Sequence, residues 1–89
     1  SLLRAFRDEF QHDMALIRKE WERYTPGPRT RTSDLEELRR ALHTIKGSTR
    51  LLGFRGLPEQ VHQLEETVLS ALSERQKPAQ FWDGLAELE

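Results

Sequence analysis

The stretch SDLEELRRALHTIKGSTRLLGF, residues Ser33–Phe54, decides the fold. Leu35, Leu38, Leu42, Ile45, Thr49 and Leu52 recur at three- and four-residue steps, the spacing that lays side chains along one stripe of an α-helix. Ser33 followed by Glu36 is a capping-box pattern and predicts a helix beginning just after Ser33. Asp34, Glu36 and Glu37 set negative charge on the positive end of that helix. Gly53 predicts its end, because glycine accepts positive φ without a Cβ penalty. His43 is the residue the stripe does not explain. It lies about 100° round from Leu42, at the exposed edge, with Glu36, Arg39, Lys46, Gly47 and Arg50 along the same side. Gly47 also asks for a reason, since glycine costs a helix interior about 1 kcal/mol relative to alanine.

Working outward, Leu3, Phe6, Phe10, Met14, Ile17, Trp21 and Tyr24 form a second stripe and predict a helix from about Leu2 to Arg23. TPGPRTRTS, beginning at Thr25, breaks the pattern, since two prolines around a glycine do not continue a helix. On the other side, GFRG (residues 53–56) is short enough to make its flanking helices antiparallel neighbours. Pro58 suits the first turn of a third helix carrying Leu57, Val61, Leu64, Val68 and Leu72. Gln76–Pro78 interrupt it, and a short fourth helix is expected from about Pro78, with Phe81, Leu85 and Leu88 on one face. No alternating β-branched run is present. The expected fold is all-α: an antiparallel four-helix bundle, up-down-up-down.

A chain of 89 residues makes one small domain, here residues 1–89. With 36% hydrophobic residues, each helix must bury one clean stripe. A net charge of -1 argues against a polyanion binder, so any electrostatic role is local. The absence of cysteine rules out a disulfide framework and a thiolate zinc site and fits a reducing, cytoplasmic setting. No apolar run reaches membrane-spanning length, so no membrane contact is expected. The polar outer faces favour a monomer. The chain opens on Ser1 rather than methionine, and we expect it to be a piece of a longer protein.

The residues around His43 suit one kind of chemistry. Neutral imidazole is a nucleophile near neutral pH. Attack on a phosphoryl group brings negative charge to the ring, which Lys46, one turn on, is placed to offset. Gly47 leaves room for an incoming surface, Ser48 is small and polar, and Arg39, Arg40, Arg50 and Arg55 add positive charge. On the third helix His62 and Glu65 are three apart, flanking its stripe. If that helix packs antiparallel to the second, Glu65 approaches His43 and can accept a hydrogen bond from Nδ1–H, leaving Nε2 free. His12 has no comparable surroundings and reads as surface. Zinc bound by two histidines and a glutamate is disfavoured by the neighbouring lysine. Nucleic-acid binding is opposed by the net charge, the acidic start of the second helix and the lack of a stacking aromatic set.

HTIKGSTRLLGF closely resembles the histidine phosphotransfer (HPt) motif: histidine, two residues, lysine, glycine, a small residue, then a glycine closing the helix. The spacing onward to VHQLEE is similar to the phosphotransfer domain of CheA-type chemotaxis kinases, and the motif also resembles HPt domains of hybrid chemotaxis-like kinases controlling type IV pili. The resemblance implies a phosphorelay intermediate in a multidomain two-component signalling protein. His43 would accept a phosphoryl group from a histidine kinase domain or a receiver aspartate and pass it to a receiver domain. Lys46 would contact the phosphoryl oxygens, Glu65 would orient the ring, and His62 would flank it. Arg39, Gly47, Ser48 and Arg50 would meet the partner. No cofactor is expected on this domain, which has no Gly-rich phosphate loop; ATP and Mg²⁺ would belong to the kinase or receiver. Two departures stand out. CheA-type domains usually carry a fifth helix, and Arg50 stands where a small residue is common. The competing reading is a helical docking module that transfers nothing.

Overall fold

A computed structural model describes all residues from Ser1 to Glu89 as four α-helices: α1 (Leu2–Arg23), α2 (Glu36–Leu51), α3 (Leu57–Glu74) and α4 (Gln80–Ala86). Each buries most of the stripe its spacing predicts. Met14, Ile17 and Trp21 of α1 meet Leu38, Leu42 and Ile45 of α2, Val61, Leu64 and Val68 of α3, and Phe81 and Leu85 of α4 in one core. The helices run up-down-up-down. Trp21 stacks on Phe81 with ring centroids 4.1 Å apart, joining α1 to α4. The Tyr24 hydroxyl donates to the Ala71 carbonyl at 3.0 Å, tying the end of α1 to α3. A Cβ on Gly84 would lie 2.8 Å from Leu64 Cδ2, so glycine sets how closely α4 approaches α3.

The two ends of α2 are built differently from each other. At its C-terminus Gly53 takes φ 79°, the Gly53 amide donates to Arg50 O, and the Phe54 amide donates to Thr49 O at 2.9 Å. These two bonds make a Schellman motif, as Gly53 implied. Thr49, fully buried, satisfies its own hydroxyl by donating back to Ile45 O or Lys46 O.

The N-terminus departs from expectation. The helix begins at Glu36, and the residue before it, Leu35, is left-handed at φ 65° with no side-chain cap on the helix. The Ser33 hydroxyl makes no hydrogen bond there; Asp34 Oδ2 instead accepts from the Arg31 amide at 3.0 Å, closing the preceding turn. The turn at Asp34 and the packing of Leu35 against the core outweigh one capping bond of about 1 kcal/mol.

A second correction concerns α1. Leu3 belongs to the sequence stripe but is 64% exposed. Because α2 stops at Leu51 and the chain turns away, nothing covers the first turn of α1. Phe6 is the first residue of the stripe to find a partner, stacking on Phe54 at 5.4 Å.

Candidate functional site

His43 sits midway along α2 with its side chain 77% exposed. The antiparallel packing of α2 and α3 across the Gly53–Gly56 turn brings Glu65 to it. Nδ1 of the ring faces Glu65 Oε2 at 3.6 Å, within ion-pair range but longer than a hydrogen bond.

The shortest contact of Glu65 is with a different partner. Lys46 Nζ lies 2.6 Å from Glu65 Oε1, and these side chains are only 14% and 19% exposed. The ammonium expected to meet a phosphoryl group is therefore held on the carboxylate expected to orient the ring. The two groups form a mostly buried ion pair beneath an exposed imidazole. Removing either partner would leave a charge in a poorly solvated place.

His62 completes the cluster from the α3 side. Its Nδ1 is 3.6 Å from Glu65 Oε1 and its Nε2 is 3.3 Å from Glu66 Oε1, so it lies between two carboxylates. Glu66 had no place in the sequence reading. Its position four residues after His62, one helical turn, is the signal that could have found it. As for zinc, the histidines and carboxylates form no group able to hold a metal ion, and Lys46 occupies Glu65.

The surroundings of His43 differ on its two flanks. Toward the start of α2 an open groove of about 560 Å³ is lined by His43 and Glu65 themselves together with Glu36, Arg39, Arg40 and Leu69. Charges there are balanced: Arg40 pairs with Glu36 at 3.5 Å and Glu37 at 3.2 Å, and Arg39 Nη1 donates to Thr32 O at 3.4 Å. Toward the end of α2 lie Gly47, Arg50 and Leu51. A Cβ built on Gly47 meets nothing within 4 Å. No internal neighbour requires glycine there, so its bareness matters only to something arriving from outside. Ser48 does not share this face. Five residues on from His43 it lies about 140° round the helix, half-buried.

The model of the Hpt domain family matches residues 1–89, the whole chain. The chain belongs to the Hpt domain family. Hpt domains carry phosphoryl groups in His–Asp phosphorelays, working with kinase and receiver domains. Searches of curated proteins and of solved structures returned no match. No helix of this Hpt domain is long and apolar enough to cross a membrane.

Proposed function

We propose that this Hpt domain is the phosphohistidine station of a two-component relay, with His43 as its phosphoacceptor. The observation that carries the reading is the exposed His43 ring turned by Nδ1 toward the Glu65–Lys46 pair. Nε2 attacks phosphorus. The N–P bond forms as the P–O bond to the donor breaks, and the donor oxygen leaves with the electron pair. The donor is a nucleotide held by a kinase domain or the aspartyl phosphate of a receiver.

Nδ1 keeps its proton throughout, so the phosphorylated ring carries positive charge on the side facing Glu65. That carboxylate offsets it. The phosphoryl oxygens bring negative charge to the opposite side. Lys46, flexible and one turn away, can swing partly from Glu65 toward them. The cluster thus has a positive and a negative group for each charge the reaction creates. His62 flanks Glu65 and shares its charge.

ATP and Mg²⁺ enter only through the partner proteins. The resemblance of the run from His43 to VHQLEE to CheA-type domains supports a chemotaxis-type kinase as the parent protein, and the absence of cysteine fits a cytoplasmic setting.

The test is chemical loading. Phosphoramidate, a small phosphodonor, should label the domain with acid-labile, base-stable phosphate that disappears in His43→Gln. A folded domain that stays unlabelled, also with kinase domains and phosphorylated receivers, is a docking module instead.

A further inference from the structure

The uncovered start of α1 belongs to a larger feature. Leu2 and Leu3 are 71% and 64% exposed, and both precede Phe6 by about one helical turn, so they lie beside it. Phe6 stacks on Phe10 at 5.8 Å and on Phe54 at 5.4 Å, and Phe54 is itself 37% exposed. The contact between Phe6 and Phe54 joins the first turns of α1 to the turn between α2 and α3. Apolar side chains are thus gathered at one end of the bundle and left facing water, which marks an interaction site.

Charge and shape say what the site takes. Residues 1–7 and 50–59, which form this end, hold four arginines, Arg4, Arg7, Arg50 and Arg55, against one carboxylate, Glu59, in a chain whose net charge is -1. None of the four has a carboxylate within ion-pair distance. An end of this sign attracts an anionic surface, whereas a second copy of the chain would set the arginines against each other. The backbone of the bundle measures 46 × 20 × 19 Å. Its narrow end, side chains included, falls short of the roughly 800 Å² per partner that a stable protein interface buries. The larger grooves of the surface lie elsewhere, none of them lined by Leu2, Leu3, Phe6 or Phe54, so no seat for a partner's helix opens here. A bilayer needs neither the area nor the groove, because each apolar side chain and each arginine gains separately at the headgroup layer.

We propose that this end of the bundle is a peripheral docking site for an anionic phospholipid surface. Leu2, Leu3 and Phe54 enter the headgroup layer, and Arg4, Arg7, Arg50 and Arg55 meet the lipid phosphates and carboxylates around them. The contact is peripheral, since no helix is long and apolar enough to cross a membrane. Asp8 and Glu9 follow in the next turn of α1, further from the tip, and limit how deeply that helix enters. With the bundle standing on this end, His43 lies about 12 Å along α2 from Leu51 and stays open to the side. Docking and phosphoryl carriage therefore use different residues, and the inference does not depend on His43 being the phosphoacceptor.

The test is co-sedimentation with vesicles of phosphatidylcholine alone and of phosphatidylcholine with phosphatidylserine. The wild-type domain should bind the mixed vesicles only, and less as salt is raised. A double variant, Leu2→Asp with Leu3→Asp, should bind about tenfold more weakly or worse, with helix content unchanged because both side chains are exposed. Arg55→Glu should lose about tenfold. Arg29→Glu makes the same charge reversal in the loop between α1 and α2, at the other end of the bundle, and should stay within about twofold of wild type. No binding of the wild type to mixed vesicles at low salt overturns the proposal, as does full binding by the double variant or an equal loss from Arg29→Glu. A wild-type domain that sediments alone as a dimer, and as a monomer in the double variant, assigns the end to self-association and overturns it too. So does capture by polyglutamate through the same residues without vesicle binding, which would assign it to an acidic protein. Phosphoramidate labelling of His43 is read separately, and its failure contradicts the phosphoacceptor reading alone.

Discussion

Lys46 of α2 and Glu65 of α3 meet at 2.6 Å directly beside the exposed His43 ring. This contact crosses the two helices that build the site, so it reports on packing and chemistry together. Glu65→Gln is near-isosteric and keeps an oxygen for Lys46, so the helices should persist, with some loss of stability because the Lys46 ammonium loses its counter-charge. Removing the carboxylate charge should slow phosphorylation of His43 by about tenfold, the effect of losing a nearby counter-charge worth about 1.4 kcal/mol. An unchanged rate of phosphoramidate labelling would show that Glu65 does not support the charge on the ring.

Gly47 offers the reverse case. A methyl group there meets nothing within 4 Å, so Gly47→Ala should stabilise α2 by about 0.5–1 kcal/mol. Urea denaturation measures this directly. The same variant should load normally from phosphoramidate yet pass its phosphoryl group to a receiver more slowly. Stabilisation with undiminished transfer would mean that partners do not need the clearance.

Asp13 lies outside the site and bears on stability alone. It is buried on α1, and its Oδ2 has no hydrogen-bond partner. Burial holds its carboxyl above the usual range, Glu9 adds to the shift, and His12 opposes it. The folded state therefore binds this proton more tightly than the unfolded chain does. That contribution is present below the ordinary carboxylate range and is lost as pH rises through the folded-state value. Asp13→Asn should accordingly raise the melting temperature at pH 7 and make little difference at pH 3. A variant less stable than wild type at pH 7 would show that the ionised carboxylate has a favourable partner.

Ser33 tests the start of α2. Its hydroxyl caps nothing, so Ser33→Ala should change stability by no more than about 0.5 kcal/mol, the range of ordinary surface substitutions. A loss of about 1 kcal/mol would restore the capping box read from the sequence.

The reason Ser33 misled is instructive. Capping boxes are local patterns, whereas the start of α2 is set by where Leu35 must point and by a turn that uses Asp34. Leu3 failed similarly: periodicity tells which face of a helix is apolar, not whether another helix is long enough to cover it. The features that held depend on short range or on stripes alone. The stripes of Ile17, Leu42 and Val61, the stop at Gly53 and the turn through Gly56 were all legible. At the site, helix phase put His43 outside, and the short link between α2 and α3 brought Glu65 to it. What spacing could not reveal was the sharing of Glu65 among Lys46, His43 and His62, because that depends on distances between helices. The bond from Tyr24 to Ala71 was equally invisible, joining residues far apart in the chain through one hydroxyl.

The most direct test of the central claim is to locate the phosphate. The domain is treated with phosphoramidate, and ³¹P and ¹H–¹⁵N NMR of the imidazole side chains identify the modified ring and nitrogen. The geometry predicts one phosphohistidine, at Nε2 of His43, with His12 and His62 unmodified. Label on His62 or on Nδ1 of His43, or none on a folded chain, would contradict it.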